Sequence, residues 1–129
     1  MAGLIGLLSH ARPATVSGKL YVVPDPRGHY PIMIAAGAGE RVHGMVLTPG
    51  PRFGVAELAE FDAFEGFDPR NPDGSDYVRR TLVVKLSDGS AIDADAYRWN
   101  RAIGGDCFSI AHGDFARYLA ESGANPLPG

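Results

Sequence analysis

The chain contains one cysteine, Cys107, so no disulfide can form within it, and a reducing compartment suits it. It has no apolar run long enough to span a bilayer. Met1 to Leu8 is apolar but far too short, and it lacks the basic start and small-residue cleavage site of a signal peptide. The expected location is the cytoplasm, with no membrane partner. There is no excess of positive charge: 12 Lys and Arg stand against 15 Asp and Glu, and the arginines form no stripe, which argues against nucleic acid as a partner. His10, His29, His43 and His112 show no metal-ligand spacing, and with one cysteine a zinc site is not expected. Gly37-Ala38-Gly39 precedes a strand pattern rather than a helix, so it lacks the helix N-terminus that a phosphate loop needs. Ser109 lies in no nucleophile-elbow pattern, and no motif activates the Cys107 thiol. Metal, nucleotide and other cofactors are therefore not expected. No internal repeat and no linker are visible.

What remains is an ordinary globular composition in 129 residues, the length of one domain with a real core. Its 17 glycines and 10 prolines punctuate the chain densely, which favours short strands joined by tight turns over a helical bundle. The β-rich runs are Ala14 to Val23, Pro31 to Ala36, Val42 to Thr48, Tyr77 to Leu86 and Ala91 to Trp99. The last two flank Ser87-Asp88-Gly89-Ser90, in which Asp88-Gly89 is a strong hairpin-turn signal. Phe53 to Phe64 reads as a central helix stopped by Gly66 and Pro69, and a second helix runs from about Gly113 to Glu121 with Asp114 in its first turn. The final GANPLPG reads as a frayed tail. Strands, then a helix, a hairpin and a helix give an α+β domain with a mixed, strongly bent sheet.

The central helix carries the chemistry. Leu58, Phe61, Asp62 and Glu65 fall at i, i+3, i+4 and i+7, so two acids share the face that should turn inward. A carboxylate held against apolar surface has its anionic form disfavoured, and its pKa rises toward the range where it can take and return a proton near neutral pH. Glu65 is the candidate base; the competing reading is a half-exposed glutamate at a helix end. Asp62 reads as a buried acid satisfied by backbone N–H groups or by Arg79. Arg79 and Arg80 alternate on a strand, so only one faces inward. Tyr77 either points its hydroxyl toward Glu65 or fills the interior as an aromatic. Tyr30-Pro31 is by default turn chemistry, with Pro31 setting the start of a strand.

AEFDAFEGFDP, then YVRRTLVVKLSDGS and ADAYRWN, resemble the central block of the gamma-glutamylcyclotransferase-like superfamily, in which Leu-Asp-x-Phe/Tyr-Glu-Gly precedes Tyr-x-Arg and a long hairpin. ATVSGKLYVV, YPIMI and RVHGMVLT are similar to its earlier strands, and IAHGDFARYL to its closing helix. Phe61 stands where the family has leucine. The resemblance spans about Ala11 to Leu119. It implies a small mixed β-barrel with the acid-bearing helix capping one end and a C-terminal helix, built as a single domain over residues 1–129 with an atypical start at 1–10 and a tail at 123–129. It also implies cyclisation of a γ-glutamyl amine or amide to 5-oxoproline without a cofactor. Residue by residue, it assigns Glu65 as general acid/base, Tyr77 and Tyr30 to substrate binding, and Asp62 and Arg79 to support. The family's Tyr-Gly-Ser/Thr-Leu substrate loop occurs nowhere in the sequence, and LLSHARPATVSGKLY resembles the segment just after it. The chain is thus read as starting one strand late, through a truncated start or through lost activity that leaves a small-molecule or protein binding module. A missing strand would leave a gap and an exposed edge, partly filled by Gly3 to Leu8 or paired in a homodimer.

Overall fold

A computed structural model describes residues 8–37 and 39–128. Ala38, the centre of the glycine motif, and all but Leu8 of the segment expected to fill a gap lie outside the described residues. Seven strands and two helices are described: β1 (Leu8–Ser17), β2 (Lys19–Asp25), β3 (Gly28–Ile34), β4 (Arg41–Pro49), α1 (Val55–Phe64), β5 (Tyr77–Leu86), β6 (Ala91–Trp99), β7 (Phe108–Ser109) and α2 (Phe115–Ser122). No helix among the described residues is long and apolar enough to cross a membrane.

The strands form a four-stranded sheet in the order β4-β1-β5-β6 and a three-stranded sheet in the order β3-β2-β7. Two expectations are corrected here. The sheets do not close into a barrel, because β7 is two residues long and among the described residues no ladder joins either edge of one sheet to the other. The sheets are not mixed either: every strand pair is antiparallel, and the parallel pairings are isolated bridges, His29 to Pro126 and His43 to Asp114. The run Ala14 to Val23 is two strands, not one. The chain leaves the first sheet at Gly18, whose N–H donates to the Glu40 carbonyl at 3.1 Å instead of to a ladder partner. A Cβ at Gly18 would stand 3.0 Å from the Met33 sulfur, so the crossing between sheets uses the missing side chain as space.

Pro31 does not start its strand. β3 begins at Gly28 and pairs Pro31 with Val22, which is tolerated because β3 is an edge strand and a proline there has no outer N–H to leave unpaired. The edge strand β4 is partly covered, since the His43 N–H donates to the Gly113 carbonyl at 2.8 Å. The core draws Leu20 and Val22 from β2, Ile32 and Met33 from β3, and Val78 and Val84 from β5, so it lies where the two sheets meet. The C-terminal residues are docked rather than frayed. The His29 N–H donates to Asn125, the Leu127 N–H donates to His29, and Gly28 has no room for a Cβ beneath Leu127.

Candidate functional site

α1 turns Leu58, Phe61, Asp62 and Glu65 inward, while Val55, Ala59, Ala63 and Phe64 are exposed. The helix starts one turn after Pro51, where the Gly54 N–H donates to the Glu57 carboxylate at 2.9 Å. It ends in a Schellman motif: Gly66, at φ +73°, donates its N–H to Ala63, and Phe67 donates to Asp62. Glu65 is therefore the last residue with helical backbone angles. Its side chain is half-buried, and burial pushes its pKa up. The negative end of the helix dipole acts in the same direction. Among the described residues no hydrogen-bond donor and no cation is paired with the Glu65 carboxylate.

The Asp88-Gly89 turn sets the register of the β5/β6 hairpin, in which Tyr77 lies opposite Trp99 and Arg79 opposite Tyr97. All four are odd-numbered residues on the face that α1 covers. Tyr77 is half-buried against Trp99, with ring centroids 5.1 Å apart in an edge-on arrangement. Burial, and then the charge of Glu65, hold its hydroxyl protonated far above neutral pH. Tyr30 comes from β3 in the other sheet. Burial raises the Tyr30 pKa, with Asp25 adding to the shift.

Asp62 is 4% exposed and faces a separate set of partners. Arg79 grips it side-on, Nε donating to Oδ1 at 2.9 Å and Nη2 to Oδ2 at 3.3 Å. The Tyr97 hydroxyl donates to Oδ1 at 2.6 Å. Arg79 also reaches Asp95 at 3.5 Å and lies over the Phe67 ring, while Arg80 on the opposite face is exposed. Two site residues, Tyr97 and Asp95, are absent from the sequence-based set. The hairpin turn carried the signal for Tyr97, because the register it sets puts this tyrosine directly across from Arg79. Beside Asp62 a shallow cleft of about 580 Å³ is lined by residues including Ala59, Phe67, Arg70 and Ser75; neither Glu65 nor Tyr77 borders it. Cys107 is half-buried beside Asp106. Among the described residues no three His, Cys, Asp or Glu side chains are grouped to hold a metal ion.

The described residues form an α+β domain of two antiparallel sheets that presents, at a helix end, a half-buried carboxylate with no partner among them. The sequence profile of the gamma-glutamyl cyclotransferase, AIG2-like family matches residues 2–117, and the chain belongs to that family. No curated protein and no solved structure matches it significantly.

Proposed function

We propose that the chain is a gamma-glutamylcyclotransferase-like enzyme that cyclises a γ-glutamyl amine or amide to 5-oxoproline and releases the amine, with Glu65 as general acid/base. The observation that carries this reading is the unpaired Glu65 carboxylate, held half-buried with a raised pKa. The neutral α-amine of the substrate attacks its own γ-carbonyl carbon, forming the ring C–N bond. Glu65 takes the proton that this nitrogen sheds. It then returns that proton to the leaving nitrogen as the original amide C–N bond breaks, so one carboxylate serves both steps and ends as it began. Attack within one molecule leaves the protein to supply a folded substrate pose, one proton relay and stabilisation of one oxyanion. Tyr77 and Tyr30, both kept protonated, are the hydroxyl donors for substrate oxygens.

A second reading, a pocket that binds without turnover, is favoured by one observation: the cleft beside Asp62 is bordered by neither Glu65 nor Tyr77. Incubation with a panel of γ-glutamyl amines, followed by assay for 5-oxoproline, separates the two. Release of 5-oxoproline that disappears in Glu65→Gln supports the enzyme. Saturable binding of the same compounds with no product supports the module.

A further inference from the structure

Asp62 is tied at both ends of its residue. Its side chain is clamped from β5 by Arg79 and from β6 by the Tyr97 hydroxyl, and its carbonyl accepts the Phe67 N–H at 2.8 Å. Glu65 lies inside the turn that this last bond closes. A further bond pins the turn to the sheet, from the Asp76 N–H to the Gly66 carbonyl at 3.2 Å, immediately before β5 begins. Asp62 and Glu65 are three residues apart on one rigid helical turn, so a rotation at Asp62 moves Glu65 with it.

We propose that Tyr97 is a positioning residue: by holding Asp62 from β6 it fixes the rotation of the last turn of α1 and with it the place of the Glu65 carboxylate. This rests on the reading of Glu65 as the proton-transfer group. Arg79 alone does not define the tether, because it has two acids within reach, Asp62 at 2.9 Å and Asp95 at 3.5 Å, and Asp95 is also held by the Thr81 hydroxyl at 2.7 Å. The Tyr97 hydroxyl donates to the Asp62 oxygen that also accepts from Arg79 Nε, and so holds Asp62 from a second strand. A hydrogen bond to a buried carboxylate is charge-assisted and short, which suits a fixed anchor. The titratable and charged groups around this turn among the described residues include Tyr77 and Arg79 of β5, Tyr97 and Asp95 of β6, Asp62 of α1 and Asp76.

The test is Tyr97→Phe, which removes one oxygen and keeps the ring. The ¹³C carboxyl signal of Glu65 is titrated in wild type and variant, and kcat and KM are measured across pH. We expect the Glu65 midpoint to fall toward the ordinary glutamate range as its turn loosens into solvent. The acidic limb of kcat should move with it, and kcat should drop about 10-fold to 100-fold, the cost of a small misplacement of a reacting group, with KM nearly unchanged. If the variant does not fold, Tyr97→Leu, which also removes the hydroxyl while keeping an apolar side chain at this half-buried position, is read the same way. A Glu65 midpoint and a kcat both equal to wild type would overturn the proposal. The NMR midpoint needs no turnover, so the two readings fail separately: a shifted midpoint together with normal turnover by Glu65→Gln keeps the tether and removes Glu65 as the base.

Discussion

The Tyr97 hydroxyl meets the Asp62 carboxylate at 2.6 Å across 35 positions of sequence, joining the open end of the hairpin to the helix that carries Glu65. With the side-on Arg79 pair, this bond leaves every oxygen of a 4% exposed carboxylate with a donor. The helix is thus seated on the sheet by a polar anchor.

Asp62→Ala should therefore be among the most damaging substitutions in the protein. It would strand the Tyr97 hydroxyl beneath α1 without its acceptor and leave Arg79 with only the longer Asp95 contact at 3.5 Å. Breaking a buried pair costs roughly 3–5 kcal/mol, and the partial exposure of Arg79 puts the expected loss near the lower end, about 3 kcal/mol. Urea denaturation monitored by circular dichroism reads it directly. A loss under about 1 kcal/mol would mean that the network adds little beyond a surface ion pair.

Glu65→Gln should act in the opposite way. On the role proposed for Glu65 as general acid/base, turnover should fall by at least about 100-fold. Stability should not fall. The folded protein holds the Glu65 pKa above its unfolded value, so the neutral acid is favoured on folding. That contribution is complete below the unfolded pKa and is lost as pH rises through the folded one. The variant should gain on the wild type between about pH 4 and neutrality, and paired thermal melts at pH 4 and pH 8 check the sign.

Gly113 and Gly89 offer a controlled comparison, because both have positive φ, +66° and +87°. Gly89→Ala meets open space and should cost about 1 kcal/mol for the left-handed backbone alone. Gly113→Ala would place its Cβ against the Arg41 carbonyl oxygen, backbone that cannot swing aside, so the loop holding the β4 edge must move. It should cost several times as much, and amide exchange at His43, which donates to Gly113, should accelerate. Equal losses at the two sites would contradict this close approach.

Docking of the C-terminal residues predicts local protection. The Leu127 amide, bonded to the His29 carbonyl at 2.8 Å, should exchange more slowly than a frayed terminus. Gly28→Ala would set a Cβ 2.6 Å from the Leu127 backbone at φ +143°, so it should free that amide while the β5/β6 hairpin keeps its protection. Hydrogen exchange followed by NMR distinguishes the two regions.

Local chemistry determined much of this protein in advance. The spacing of Leu58, Phe61, Asp62 and Glu65 fixed which face of α1 turns inward, Gly66 fixed where the helix ends, and Asp88-Gly89 fixed the hairpin and its register, because each depends on neighbours within a few residues. The family, too, was legible in the motif order, and a match over residues 2–117 bears it out. Tertiary structure decided what depends on distant partners. Whether Ala14 to Val23 is one strand or two turned on Glu40 and Met33 meeting Gly18; whether the tail frays turned on His29; whether the sheets close turned on a β7 too short to bridge them. The place of Tyr97 is intermediate. Its position opposite Arg79 follows from the turn, but its bond to Asp62 exists only once α1 lies across the hairpin, because a hydroxyl finds a buried carboxylate through packing and not through proximity in sequence.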